Sequence, residues 1–511
     1  MHPITRLYLL LVVVLVSACA DLPQRPELAP QVAVPVGTGT QLDSLIGPAE
    51  TAQPGAAGFH LLGTGPEAFA VRARSAFLAG RSLDVQTYIW HNDLTGRYLA
   101  YALLTAADRG VKVRLLVDDM DARASNYGFA ALDAHPNIEV RMFNPLPSRG
   151  GTLAFIGDFL SSGKRLNHRM HNKTWIADNR IALVGGRNLG DEYFGASEGV
   201  NFVDLDFVMV GPVVRDASAS FDKYWNSRAV YPIALLSAEA VTLEALGKLR
   251  VRADQAAEEG KSSSYAELLK RDDAVERLMS GDWPVEWSSE FEFVSDDPLK
   301  ALKEPGLEKS DVLSALVPVL KSAQQSATLI SPYFVPGPQG TAFLLEGAQS
   351  GRQVRVLTNS LVANDVSAVH GGYSKYRKDL LESGVKLWEL KPLEGTKAKS
   401  SLFGSSGSSL HTKALSVDSR RIFVGSYNID PRSTALNCEQ GVLVTSTALA
   451  GQFDRMFEQQ SDGARAWSVS LVGGDLSWTD GTKTYDRDPM ASFGQRFQAW
   501  LGRVLPFESQ L

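Results

Sequence analysis

The sequence predicts an α/β protein of two homologous lobes, each a mixed β-sheet flanked by helices, related by a pseudo-twofold axis. Three observations predict it. Helical patterns alternate with short β-type runs in both halves of the 511-residue chain. The stretch His171-Asn172-Lys173-Thr174-Trp175-Ile176-Ala177-Asp178 recurs as His411-Thr412-Lys413-Ala414-Leu415-Ser416-Val417-Asp418, 240 residues further on. Flanking positions repeat at almost the same offset, 245 residues from Tyr88 to Tyr333 and 241 from Gly110 to Gly351. A period of that length is far too long for a solenoid and marks a duplicated lobe.

Composition admits this reading. With 21% charged and 44% hydrophobic residues, the chain has ordinary globular character and length for two or three domains. A net charge of −6 and a pI of about 5.8 suit nucleic acid poorly as the main partner.

The N-terminus carries an address. Arg6 precedes an apolar run from Leu7 to Val16, too short to span a bilayer but suited to a signal peptide over residues 1–18. Leu15-Val16-Ser17-Ala18-Cys19 resembles a bacterial lipobox, implying cleavage before Cys19 and lipid attachment to its thiol. An ordinary signal peptide or an uncleaved anchor is the other reading. Cys438 would then have no partner, so no disulfide framework is expected. Residues 19–58, rich in Pro, Ala, Gly and Gln, lack apolar periodicity and are expected to form a flexible tether.

The first lobe is expected over residues 59–233. A helix starts near Pro66 with Phe69, Ala73, Ala76 and Phe77 on one face; the strand Leu83–Trp90 follows. Next come a helix from Leu94 to Asp108, closed by Gly110, and the strand Val111–Val117. A charged helical connector is expected over 234–304, with helical patterns at 243–251 and 265–279 and a loop at Gly260–Ser264. The second lobe, 305–462, repeats the plan with a helix near Val312–Gln324 and strands Thr328–Phe334 and Gln353–Leu357. The extension 463–511 holds a hairpin around Asp480-Gly481 and an aromatic-rich amphipathic helix from Phe493 to Val504, expected to pack on a lobe rather than enter a membrane.

The repeated H-x-K-x-x-x-x-D carries the chemistry. In an extended chain residues i and i+2 share a face, so each copy presents an imidazole beside an ammonium, with a carboxylate in the turn that follows. Each copy also has a small-residue tail, Gly185-Gly186-Arg187-Asn188 and Gly425-Ser426-Tyr427-Asn428, whose turn amides suit phosphate oxygens. One copy would be a weak signal; two, at matching places in a duplication, are a strong one. Two imidazoles and two ammonium groups suit a phosphodiester. Lys173 and Lys413 can neutralise its oxygens, one histidine can attack phosphorus, and the other can protonate the departing alkoxide. No metal and no cofactor are expected. His168 reads as structural and Ser405–Ser409 as a loop. His370 reads equally as lining a cleft or as ordinary packing.

These paired motifs resemble the phospholipase D superfamily over nearly the whole chain from His60 onward. Arg169–Lys173, Val184–Asn188, Gln86–Trp90 and Ser426–Ser433 are similar to its bacterial cardiolipin synthase C-type branch. The resemblance implies phosphatidyl transfer from phosphatidylglycerol to phosphatidylglycerol or phosphatidylethanolamine. It implies His171 as nucleophile and His411 as acid/base. It also places an acid behind each histidine, for which Asp204 and Glu439 occupy matching repeat positions. Asn188 and Asn428 join them as candidate substrate-side residues, and Asp178 and Asp418, members of the motif, read as bracing its loop. The expected protein is a monomeric two-lobe enzyme, lipid-anchored through Cys19 in a bacterial cell envelope, with membrane phospholipids as partners and no nucleic acid; no motif specifies a helper protein. A phospholipase D-type hydrolase and a non-catalytic lipid-binding lipoprotein are the alternatives.

Overall fold

A computed structural model describes residues 22–122, 126–146, 167–237, 241–262, 273–302, 310–364, 366–392 and 410–504. The expected signal peptide, Cys19 and Ser405–Ser409 lie outside the described residues. The first repeat contributes β1 (Ala57–Leu62), β2 (Ser82–Thr87), β3 (Lys112–Asp118), β4 (Ile138–Phe143), β5 (Thr174–Ala177), β6 (Ile181–Gly185), β7 (Asp206–Val210) and β8 (Val230–Pro232); β9 (Glu286–Ser288) joins them. Their spatial order is β8-β4-β3-β2-β5-β6-β7-β1-β9. The second sheet is built from β10 (Phe291–Ser295), β11 (Ser326–Ile330), β12 (Gln353–Asn359), β13 (Lys386–Leu390), β14 (Ala414–Val417), β15 (Arg421–Gly425), β16 (Gln440–Thr445), β17 (Ala466–Val472), β18 (Asp475–Thr479) and β19 (Thr484–Tyr485). It runs β10-β16-β15-β14-β11-β12-β13-β17-β18-β19.

The two sheets superpose in order, β4-β3-β2-β5-β6-β7-β1 against β13-β12-β11-β14-β15-β16-β10. In each, helical crossovers make three strands parallel, and the motif strand then enters antiparallel, β5 on β2 and β14 on β11. Thr174 pairs with Gln86 and Ala414 with Ile330. The histidines, just before β5 and β14, therefore sit at the carboxyl ends of the parallel strands, where open α/β sheets bind ligands. Helices flanking both sheets are capped by their own side chains: Gly96 N donates to Asp93 Oδ1 at 2.9 Å ahead of Leu94–Asp108, and Leu313 N to Ser310 Oγ at 3.2 Å ahead of Asp311–Lys321. Each lobe has a core of its own, and a third cluster joins them, bringing Ile176, Val184 and Phe207 together with Ile330, Ile422, Val424 and Val442.

Three expectations are corrected. Residues 22–58 do not hang free where they are described. Arg25 Nε donates to Val230 O at 2.6 Å, and Gln31 Nε2 to Glu139 Oε2 at 2.7 Å. The helix Gln41–Ala52 lays buried Leu42 and Ile46 on the first lobe. Its Asp43 bonds Arg81 and, at 2.8 Å, Arg180 Nε, while Thr40 and Asp43 cap the helix reciprocally. A low-periodicity composition gave no hint of these long-range charge partners. Asp43→Ala is expected to cost about 2 kcal/mol, because it leaves two half-buried guanidinium groups without their carboxylate. Urea unfolding and proteolysis between residues 22 and 57 measure it. The Arg81 guanidinium, helped by Arg180, holds the Asp43 carboxyl far below the usual carboxylate range although burial opposes it. Its contribution is therefore complete above the unfolded carboxyl pKa of about 3.9 and is lost as pH falls below that.

The connector is not purely helical. It contains β9, which extends the first sheet beside β1, and β10, which is the second lobe's counterpart of β1. The duplication thus begins at β10, inside the stretch assigned to the connector. Gly260 to Ser262 belong to the helix Leu243–Ser262, not to a loop. The extension is likewise part of the second lobe: β17 pairs with β13, and the hairpin of β18 and β19 follows it.

Candidate active site

The histidine of each motif reaches across the lobe interface. Met170 and Cys438 form a bridge, with His171 N donating to Cys438 O at 2.9 Å and Cys438 N to Arg169 O at 2.8 Å. The mirror arrangement has Val203 bridging Leu410, with His411 N donating to Val203 O at 2.8 Å. The next residue on each receiving strand is the acid. His171 Nδ1 lies 2.9 Å from Glu439 Oε2, and His411 Nδ1 lies 2.6 Å from Asp204 Oδ2. Each lobe supplies the carboxylate that orients the other lobe's imidazole. Neither lobe holds a complete site.

The tautomer at His171 follows from its neighbours. Nδ1 faces the Glu439 carboxylate and, at 3.1 Å, the Ser426 carbonyl, both acceptors, so Nδ1 carries the proton and Nε2 presents its lone pair. Tyr88 stands edge-on to this ring at 5.3 Å, and Tyr193 does the same to His411 at 5.2 Å. Lys173 Nζ donates to His171 O and Lys413 Nζ to His411 O, each at 2.5 Å, and Lys173 also lies over the Tyr88 ring. Both lysines are buried.

Burial and the two ammonium groups set the charges. Burial above all, with Lys173 and Lys413 adding, pushes His171 down to about 4 against the pull of Glu439. His411 is driven well below the usual imidazole value by burial, then by Lys413, Lys173 and His171. Burial also lowers Lys173, against Glu439 and with Lys413 adding. Burial pushes Glu439 up, but His171, Lys173 and Ser426 outweigh it and leave the carboxyl below its ordinary value. Asp204 goes the other way, raised by burial despite Lys413 and Arg187.

Asp178 and Asp418, though part of the motif, are not brought to this centre. Each lies at the far end of its strand with positive φ, 52° in both. Asp178 accepts from the backbone N–H groups of Gly80, Arg81 and Ser82, and Asp418 from those of Gln324, Gln325 and Ser326. Asn188 is buried close by, donating from Nδ2 to Tyr193 Oη at 2.9 Å, and buried Asn428 leaves Oδ1 without a partner among the described residues. His168 Nδ1 meets Leu436 O at 2.8 Å. His370, itself buried, is packed against Arg377 and part-buried Asp488 in a hydrogen-bonded network.

Several supporting residues escaped the sequence reading. Ser426 Oγ donates to Glu439 Oε2 at 2.5 Å and Ser433 Oγ to Oε1 at 2.9 Å. At the position matching Ser426 the first lobe has Gly186, where a Cβ would stand 2.3 Å from Asp204 Oδ1. Arg187, wholly buried, donates to the backbone carbonyl of Asp204 and pairs with Asp206 at 3.2 Å. Its only signal was its place in the Gly-Gly-Arg-Asn tail.

A duplicated α/β fold with two reciprocally braced His-Lys pairs at one interface defines a phospholipase D-like enzyme. The comparisons agree. A family model described as "Cardiolipin synthase, PLD-like domain" matches residues 77–225 and 316–461. The chain is 39% identical over 484 residues to cardiolipin synthase C of Escherichia coli K12, covering 92% of this chain and 99% of that protein. It is 25% identical over 412 residues to cardiolipin synthase A of Pseudomonas syringae, covering 80% and 69%. A phosphatidylserine synthase structure from Haemophilus influenzae shares the fold, with a TM-score of 0.58 at 12% identity over 91% of this chain and all of that one. The chain belongs to the cardiolipin synthase family of the phospholipase D superfamily.

Proposed function

We propose that the chain is a phosphatidyltransferase of the cardiolipin synthase type. It moves a phosphatidyl group from one phosphatidylglycerol to the headgroup hydroxyl of another through a phosphohistidine. Phosphatidylethanolamine, whose headgroup ends in an amine and carries no hydroxyl, does not fit as acceptor in this step. The observation that carries this reading is the reciprocal bracing of His171 by Glu439 and of His411 by Asp204, beside two buried lysines. His171 Nε2, uncharged at neutral pH, attacks phosphorus. The bond from phosphorus to the glycerol oxygen breaks, and His411 Nε2–H gives that oxygen its proton. His411 then takes the proton of the acceptor's hydroxyl, whose oxygen displaces His171 and frees the enzyme.

Lys173 and Lys413 neutralise the non-bridging oxygens as charge builds on them. Their ammonium groups by themselves disfavour an imidazolium. An anionic diester between them offsets that repulsion, which brings a protonated His411 within reach. Asn188 and Asn428 act from the flanking turns as polar contacts to substrate, while Asp178 and Asp418 position the strands that carry the motifs. Acylated Cys19 anchors the enzyme as a lipoprotein in the bacterial cell envelope. No helix among the described residues is long and apolar enough to cross a membrane.

Vesicles of phosphatidylglycerol incubated with the enzyme in EDTA are expected to yield cardiolipin and glycerol in equal amounts, at a rate chelation leaves unchanged. Chromatography of the lipid phase and enzymatic assay of glycerol read the result. Phosphatidic acid without cardiolipin would make the protein a hydrolase, and loss of turnover on chelation would overturn the metal-independent route.

A further inference from the structure

The helix Phe493–Val504 has two unlike faces. One is pressed on the helix Ser367–Ser374 through small residues at very close range. A Cβ on Gly371 would meet Ala499 O at 2.1 Å, and one on Gly502 would meet Ala368 O at 2.3 Å. The opposite face carries Phe493, Phe497, Trp500 and Val504, at the i, i+4, i+7 and i+11 spacing of a single stripe. These side chains are 85%, 50%, 54% and 52% exposed, and Phe497 and Trp500 stack on each other at 5.9 Å. Large apolar side chains half or more exposed, in a row along a helix, lack the burial that an ordinary docked helix gives its apolar face.

The position of this stripe says what covers it. Leu410, next to His411, exchanges hydrogen bonds with Asn359 at the carboxyl end of β12, at 3.1 and 3.2 Å. Two residues on, buried Leu361 packs with Ala491 and Ala499, the latter on the helix itself. The aromatic stripe is thus fixed to the same end of the sheet as the two histidines. Exposed Arg503 flanks it along one edge, where its guanidinium can lie at phosphate level above an inserted apolar face, while Arg496 on the same edge donates to Asp488 O at 2.9 Å. A substrate whose phosphate sits at a bilayer surface has to be met by a site held close to that surface.

We infer that the aromatic face of the helix Phe493–Val504 inserts into the lipid bilayer and holds the mouth of the two-histidine site against it, as a docking element separate from any N-terminal anchor. The choice of a bilayer as occupant rests on the lipid-substrate reading above. Insertion to the headgroup–acyl boundary, roughly 5–10 Å, is what a helix of this kind reaches.

The test uses the full chain with vesicles of phosphatidylglycerol and phosphatidylcholine, with and without bromine on the acyl chains. The emission of Trp500, obtained by subtracting the spectrum of Trp500→Phe, is expected to be quenched only by the brominated vesicles. The Phe493→Ser/Phe497→Ser/Trp500→Ser variant is expected to lose roughly tenfold or more of its turnover on vesicle lipid while turning over soluble short-chain phosphatidylglycerol at the parental rate. The soluble assay reports that fold and site are intact. Identical Trp500 emission in both vesicle types overturns the proposal. So does a dimer that the triple variant dissolves, which would assign the face to a second copy. Quenching without turnover of any lipid would leave the docking in place and defeat the phosphatidyltransferase reading instead.

Discussion

His171→Ala is expected to abolish turnover, by at least about 10⁴-fold, and with it every trace of a covalent phosphoenzyme, because no other group can form the bond to phosphorus. His411→Ala is expected to behave differently. Its loss on phosphatidylglycerol is of the same order, since the glycerol alkoxide then leaves without a proton. With a 4-nitrophenyl phosphodiester the leaving group needs none. That variant should release nitrophenolate once per active site and hold the phosphorylated His171, detectable as an acid-labile mass increase on the peptide that contains it. The geometry motivates the assignment at His171, where Nδ1 is held by two acceptors and Nε2 is left as the nucleophilic lone pair. A phosphoenzyme formed by His171→Ala and absent from His411→Ala would reverse the two roles.

How far the sequence exposed this site depends on the range of the interaction. The spacing of His171 and Lys173, and their recurrence at His411 and Lys413, is local information that a strand converts directly into shared direction. Asp204 and Glu439 were reachable because a duplication keeps equivalent positions equivalent. That each acid serves the opposite lobe was not reachable: Glu439 lies 268 residues from His171, and Asp204 lies 207 from His411. Only the packing of the two sheets decides such a pairing. The asymmetry between Ser426 and Gly186 was on the page as letters, but its meaning needs the carboxylate beside it. Phe291-Glu292-Phe293 alternates as a strand should, yet the charged stretch around it between the lobes masks that short signal. Residues 22–58 misled for a related reason. Composition reports how much apolar surface a segment can bury, not whether one aspartate finds two arginines.

The cross-lobe carboxylate is where the second large effect is expected. Glu439→Gln keeps shape and volume but removes the charge that faces the His171 Nδ1–H, and an amide can also turn its N–H₂ toward that nitrogen and favour the wrong tautomer. The expected loss in kcat is about 10³- to 10⁴-fold, with KM far less affected, because substrate phosphate is held by Lys173 and Lys413. A structural defect alone could lower kcat, so the pH profile is the discriminating readout. Burial pushes the His171 imidazole down to about 4, and Glu439 is the principal group that keeps it from falling further. The profile of kcat/KM should therefore fall on the acid side as pH drops through about 4, where Nε2 acquires a proton and can no longer attack. Removing the carboxylate lowers the imidazole pKa further, so in Glu439→Gln this limb should move to lower pH while the plateau collapses. Ser426→Ala offers a graded version. It takes away one hydrogen bond that keeps Glu439 ionised, and the acid limb should shift in the same direction by less. An acid limb that stays in place in Glu439→Gln would mean that the carboxylate holds the lobes together without tuning the histidine.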